Sequence, residues 1–365
     1  MKLRAVRNTV LFLLFFATAA LCQQSPAGPV PTPKEGEFTL RNFHFQSGET
    51  LPELRMHYYT FGTPEKDSSG KTKNAVLVLH GTGGSGRQFL TPIFAGVLFG
   101  PGQPLDVSKY FVILVDNVGH GKSSKPSDGM HARFPQYDYD DMIKAQHDLL
   151  EQGLGVNHLR LVMGTSMGCM HSFVWGETYP EFMDALMPLA CLPVQIAGRN
   201  RIWRKMIIDG IRTDPDWKNG DYTTQPRTGI EIATDFLLIA GSAPLVMQTN
   251  LPTRAQADEY LANYEKRVST GIDANDLLYA VSASRNYDPS PHLDKIIAPV
   301  MFINSADDFI NPPELGIAEK EIKQVKRGKF VLLPISEKTH GHGTHTDAAV
   351  WEDYLKELLK ESETK

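Results

Sequence analysis

The stretch LVMGTSMGCM, residues 161–170, decides how the rest of the 365-residue chain is read. Its first half is an apolar run, the pattern of a strand buried on both faces of a parallel sheet. Its second half, Gly164-Thr165-Ser166-Met167-Gly168, is a G-x-S-x-G at the point where strand gives way to helix. A serine on so sharp a turn projects its hydroxyl clear of the sheet, and the glycines let the backbone close the turn without Cβ clashes. The positive end of the helix that follows favours negative charge developing beside it. Ser166 is therefore the candidate nucleophile, against the plainer reading of a packing turn with an inert serine.

Outward from this turn, near-continuous apolar runs recur at AVLVLH (75–80), YFVILVD (110–116), ALMPLA (185–190), PVMFINS (299–305) and KFVLLPI (329–335). FTLRNFHF and LRMHYYTF alternate in period two and predict an antiparallel opening. YDYDDMIKAQHDLLEQGLG fits a helix between strands, and WEDYLKELLK an amphipathic helix at the end. Strand and helix in repetition predict a right-handed, doubly wound α/β sheet. The alternation pauses over residues 193–290, which hold helical segments such as RAQADEYLANYEKRV and no convincing strand. That region reads as a helical cap inserted before the last two strands, splitting the sheet domain into residues 35–192 and 291–365.

Composition narrows the functions open to such a fold. With 41% apolar residues the chain can bury a large core and a smaller subdomain. A formal net charge of −5 and no long basic run argue against nucleic-acid binding, which needs a concentrated positive face. MKLRAVR followed by VLFLLFFATAAL joins a basic start to a short apolar run with small residues at its exit. This is the pattern of a secretory signal peptide over residues 1–22. The run is short for a membrane span, which takes about 20 apolar residues; an uncleaved anchor is the alternative. SPAGPVPTPK, within a segment taken as 23–34, reads as a stiff Pro-rich linker. A secreted or periplasmic protein with no stable span after cleavage is expected. Cys22 lies at the cleavage region, and Cys169 and Cys191 read as buried thiols acting as small apolar residues, a single bridge between them being possible.

LHGTGGSGRQF follows an earlier strand and admits two readings. Gly81, Gly83 and Gly86 satisfy G-x-G-x-x-G, and Asp116 ends the next strand, the outline of a dinucleotide fold. Pro92 and GPGQP break the crossover helix that fold needs, and Arg87-Gln88 stands where a P-loop requires Lys-Ser/Thr. The loop instead reads as an oxyanion loop, the backbone N–H of Thr82 joining that of Met167.

An activated serine needs a base, and the base needs a group to fix its tautomer. INSADDFINPP offers Asp307 and Asp308 after a late strand, and THGHGTHT (339–346) offers His340, His342 and His345 after the last one. His342, flanked by Gly341 and Gly343, is the candidate base; His345 is expected to help start the final helix. A zinc site would need further Cys, His or carboxylate ligands in a compatible arrangement, and the sequence offers no distinctive set. No metal and no cofactor are expected.

With SGETLPELRMHYYTFG, NAVLVLHGTGG, GTSMGCMHSFVWGETYP, DPDWKNGDYTTQPRTGIEIA, DANDLLYA, ADDFINPP and GHGTHT, the chain resembles the homoserine O-acetyltransferase branch of the α/β-hydrolase superfamily over residues 38–351. The resemblance implies an α/β-hydrolase fold with a mostly parallel eight-stranded sheet, a helical lid and a Ser–Asp–His triad of Ser166, Asp308 and His342. The downstream Pro-Pro favours Asp308 over Asp307. The chain departs from those transferases in three places. GTSMGCMH replaces their Gly-Gly-Ser-Met-Gly-Gly-Met-Gln, and HGTGG replaces a loop resembling His-Ala-Leu-Thr-Gly. Ile208 stands where they hold an arginine upstream of Asp-Pro-x-Trp, with Arg204 one helical turn earlier. Together with the exported N-terminus these departures lead us to expect hydrolysis of a small-molecule carboxylic ester or related acyl substrate through an acyl-serine. Acyl transfer from acyl-CoA is the alternative, and a non-catalytic binding protein a further one. Trp203, Trp217, Arg199, Arg201 and Arg204 are candidates for the cap's lining, unless they are core and solvated face.

Overall fold

Alternation of side chains across a sheet that is covered on both faces explains the architecture. In a computed structural model of the protein, which describes residues 28–363, eight strands form one sheet in the order β1-β2-β4-β3-β5-β6-β7-β8. The strands are β1 (Lys34–His44), β2 (Thr50–Phe61), β3 (Ala75–Leu79), β4 (Phe111–Val115), β5 (Leu161–Thr165), β6 (Leu186–Leu189), β7 (Val300–Ser305) and β8 (Gly328–Leu333). β1 pairs antiparallel with β2, and β2 with β4; every later pairing is parallel. The signal-peptide segment expected at residues 1–22 lies outside the described residues.

Each residue of β3 to β7 is buried, as their unbroken apolar runs require. Ala75, Leu77 and Leu79 face one core, which also holds Phe173, Trp175 and the inner cap residues. Val76 and Val78 face the other, with Phe94, Trp351, Leu355 and Leu358. The helices are α1 (Ala95–Leu98), α2 (Tyr139–Asp148), α3 (Met167–Thr178), α4 (Gly198–Thr213), α5 (Arg227–Gly241), α6 (Pro244–Asn250), α7 (Arg254–Val268), α8 (Ala274–Ser282), α9 (Ile317–Glu321) and α10 (Glu352–Glu363). Between β6 and β7 the chain passes through α4 to α8 and makes no strand. Among the described residues no single helix is long and apolar enough to cross a membrane.

The strand order fixes where a ligand can sit. From β3 the chain steps to β4 on one side and then returns to β5 on the other. At such a reversal the loops leaving the two neighbouring strands diverge and open a crevice at their carboxyl ends. The loop after β3 carries Thr82, and β5 runs directly into Ser166.

Candidate active site

Ser166 joins β5 to α3 with φ 56° and ψ −110°, a conformation that costs a side-chain-bearing residue about 1–3 kcal/mol. The surroundings hold it there. Its N–H donates to the Leu189 carbonyl of β6 at 2.8 Å. The two glycines of the motif are needed for close backbone approach. A Cβ on Gly164 would lie 2.1 Å from the Gly168 carbonyl oxygen, and one on Gly168 2.0 Å from that of Leu79 in β3.

His342 lies in the short helical turn Gly341–Thr346, and its Nε2 is 2.8 Å from Ser166 Oγ. Its Nδ1 is 2.9 Å from Asp308 Oδ2. A carboxylate only accepts, so Nδ1 carries the proton and Nε2 of the neutral ring accepts from the serine hydroxyl. Asp308 is buried, and it also accepts from the amides of Ile310 (2.8 Å) and Asn311 (3.2 Å) and from Asn311 Nδ2 (2.9 Å). Burial acts to raise its pKa but is outweighed by the neighbouring His342 and these donors, which hold the carboxyl below its ordinary value.

The other loop residues take supporting places. Asp307 accepts from the Gly341 amide at 3.0 Å and from Ser305 Oγ, so it pins the histidine loop rather than the imidazole. His345 does not start the final helix. Two short helical turns, Gly341–Thr346 and Ala348–Val350, intervene before α10, and the His345 ring instead packs edge-on against His342 at 5.0 Å. Burial lowers its pKa to about 3, so it adds no charge there. Among the described residues no three His, Cys, Asp or Glu side chains gather to hold a metal.

On the other side of Ser166 the β3 loop is packed tightly: a Cβ on Gly81 would sit 3.3 Å from the serine Cβ. Neither the Thr82 nor the Met167 amide donates to another described residue. Asp116, which from sequence completed the outline of a dinucleotide fold, anchors this loop instead. It accepts from Gly86 N at 2.7 Å, Lys122 N at 2.9 Å and His57 Nδ1 at 2.8 Å. Gln88 Nε2 ties the loop to Thr165 Oγ1 at 3.2 Å. Cys169 and Cys191, whose pairing the sequence left open beside the reading as buried thiols, form a disulfide with a Cα–Cα distance of 5.8 Å that links α3 to the end of β6.

A cavity of about 990 Å³ opens over Ser166 and His342 beneath the cap. Of the five cap candidates, Trp203, Arg199 and Arg204 line it. Arg201 is exposed and Trp217 turns away to hydrogen-bond Asn275 Oδ1 at 2.9 Å. Ile208 is buried in the core, and Arg204 is the arginine that reaches the site. Its Nε donates to Asn200 Oδ1 at 2.9 Å and one terminal nitrogen to Ser284 Oγ at 3.2 Å; no described carboxylate pairs with it. Beside it the Thr82 and Tyr139 hydroxyls are buried, with no well-formed hydrogen bond to another described residue. Burial raises the Tyr139 pKa, and Arg204, Ser284 and Thr82 work against that rise. Tyr139 went unnoticed in the sequence, where it is one residue of a helical start.

Residues 74–332 match the family described as alpha/beta hydrolase fold. The homoserine O-acetyltransferase of Moorella thermoacetica is 30% identical over 311 residues, covering 74% of this chain and 80% of that protein. Among solved structures, a homoserine O-acetyltransferase from Bacillus anthracis superposes with TM-score 0.78 at 22% identity, covering 90% of this chain and 98% of the other. An acetylester hydrolase from Corynebacterium glutamicum superposes with TM-score 0.77 at 20% identity, covering 90% and 96%.

Proposed function

Because the chain belongs to the α/β-hydrolase family, in its homoserine O-acetyltransferase-like branch, we propose that this enzyme transfers an acyl group from an acyl-CoA thioester to the hydroxyl of a small carboxylate-bearing acceptor such as homoserine. The observation that carries this reading is Arg204, a buried guanidinium with no carboxylate partner among the described residues, lining the same cavity as Ser166. A guanidinium taken from water and left unpaired is costly, and a substrate carboxylate would satisfy its fork in a bidentate way. The Thr82 hydroxyl, which lines the same cavity and makes no well-formed hydrogen bond to another described residue, offers a further hydrogen bond. This reverses the preference for water drawn from the sequence, which treated the arginine as displaced.

In the first half-reaction Ser166 Oγ attacks the thioester carbonyl while His342 Nε2 takes its proton. The Thr82 and Met167 amides hold the oxyanion, and the C–S bond breaks as His342 returns the proton to the departing thiolate. In the second half His342 removes the acceptor's hydroxyl proton. The alkoxide attacks the acyl-serine, the ester to Ser166 breaks, and the proton returns to the serine. Asp308 keeps Nδ1 protonated throughout.

Hydrolysis is the second reading, and two observations favour it. The Cys169–Cys191 bridge and the signal-like N-terminus are features that would suit an oxidising, exported setting, where water rather than CoA chemistry is at hand. Purified protein supplied with acetyl-CoA or hexanoyl-CoA decides between the two. CoA release that rises with L-homoserine, with the O-acyl ester as product and loss of both in Ser166→Ala, is expected. Release unaffected by homoserine, or cleavage of p-nitrophenyl esters with no use of either CoA thioester, would overturn transfer in favour of hydrolysis.

A further inference from the structure

We propose that the acyl group carried on Ser166 is a medium-length alkyl chain, from hexanoyl to decanoyl, lodged in the apolar part of the cavity under the cap. The proposal rests on the acyl-Ser166 reading and holds for either acceptor.

The cavity's lining is chemically mixed. Thr82, Arg199 and Arg204 line it together with Ser166, and Gln195, Asn200 and Glu314 add further polar groups. Much of the remaining wall is aliphatic: Leu192, Val194 and Ile196 from the segment after β6, Leu237 and Ala240 from α5, and Ile310 from the loop after β7. A volume of about 990 Å³ is at the top of the range of small-molecule sites, roughly 300–1,000 Å³. An acetyl group, the acyl group in the relatives' names, would leave most of it unfilled.

The mouth continues the same chemistry. Leu245, Leu315 and Ile335 line the cavity while remaining 64%, 54% and 53% exposed. Single exposed aliphatic residues are ordinary on protein surfaces. Three from separate segments, α6, the turn before α9 and the loop after β8, around one opening mark a place where apolar ligand surface enters or lies. With the carbonyl facing the Thr82 and Met167 amides and the polar groups taken by the rest of the substrate, the alkyl chain is left the aliphatic walls. Each methylene removed from water there should raise acylation by up to about fourfold until the space is full.

Acylation of Ser166 is measured alone, as the burst of p-nitrophenolate, with p-nitrophenyl acetate, butyrate, hexanoate, octanoate and decanoate below their micellar limits. A parallel series varies the alcohol, from ethyl to octyl acetate. We expect kcat/KM to rise at least about tenfold from acetate to a maximum at hexanoate or beyond, with a flat alcohol series. Ala240→Phe, which adds bulk to the aliphatic wall from α5, should lower the octanoate-to-acetate ratio by about fivefold or more; Leu237→Trp serves the same purpose if the first variant does not fold. A profile that falls from acetate onward, a steep alcohol series, or a ratio unmoved by either folded variant overturns the proposal while leaving the acyl-serine intact. Failure of every ester to acylate Ser166 would sink both.

Discussion

Asp308→Asn tests whether the buried carboxylate sets the tautomer of His342, and the structure dictates how the amide must sit. Two backbone amides, Ile310 at 2.8 Å and Asn311 at 3.2 Å, point at Oδ1 of Asp308. Only an oxygen can accept from them, so the new carboxamide must place its oxygen there and its NH2 where Oδ2 stood. That NH2 then faces His342 Nδ1 at 2.9 Å and turns it into an acceptor, while the Asn311 carboxamide, which donates to the same position at 2.9 Å, turns over to present its oxygen. The ring proton moves to Nε2, which can no longer take the proton of Ser166 Oγ 2.8 Å away. Loss of the base in otherwise intact geometry costs about 10⁴ in kcat, roughly 5.5 kcal/mol of barrier. The assay is the acylation burst with a p-nitrophenyl ester, the variant's fold being checked by its melting temperature. Asp307→Asn is the control, because an amide oxygen can still accept from Gly341 N. Asp308→Asn activity within about tenfold of wild type, or an equal loss from Asp307→Asn, would refute the reasoning.

The pKa shift of Asp308 carries its own prediction. Its folded pKa is depressed, so the stability it contributes is complete above the unfolded value of about 3.9 and is lost as pH falls through the lower folded value. The melting-temperature gap between wild type and Asp308→Asn should therefore close in that acidic window; a gap constant to below pH 3 would count against it. Gly168→Ala forces a Cβ to 2.0 Å from the Leu79 carbonyl oxygen, a backbone atom in a buried strand that cannot swing aside. It should cost more than about 3 kcal/mol and abolish labelling of Ser166 by a fluorophosphonate, read by thermal melting and mass mapping. Reducing the Cys169–Cys191 bridge opens a loop closed across a sequence separation of 22, worth about 3 kcal/mol of stability, which should appear as a lower melting temperature under reductant. Arg204→Met should raise KM for homoserine by about 30-fold or more through loss of a charge-assisted pair, and shift product from ester toward free acid; an unchanged KM would detach Arg204 from the acceptor.

What could be read from the sequence follows the range of the interactions involved. β3 to β7 were legible because burial on both faces leaves runs that are almost wholly apolar, with polar residues only at the carboxyl ends of β5 and β7. The turn at the candidate nucleophile was legible because a strained backbone demands small neighbours at fixed offsets. Choosing between Asp307 and Asp308 needed more, since adjacent side chains diverge: one pins Gly341 and the other is buried under His342. On α4 the 3.6-residue period puts Trp203, Arg204, Ile207 and Ile208 on the inward stripe and Arg201 outside. That phase was present in the sequence, but not that Arg204 meets a cavity while Ile208 meets core. The disulfide was beyond reach, because bridging depends on a 5.8 Å Cα approach that no spacing reveals. His345 was misjudged because two short turns delay α10 until Glu352 and Asp353, acids suited to a helix start.

The excursion through α4 to α8 also orders the birth of activity. Ser166, Thr82 and Met167 belong to strands and loops completed by β6, whereas Asp308 and His342 follow β7 and β8. Those last two strands dock only after the chain has returned across the whole cap, a distant and therefore slow pairing. A nascent chain thus holds its proposed nucleophile without a base. Its serine stays chemically idle until the final two strands close. Recovery of Ser166 labelling during refolding should consequently lag behind the formation of helix and track the docking of β7 and β8, making the active site a reporter of the last folding step rather than the first.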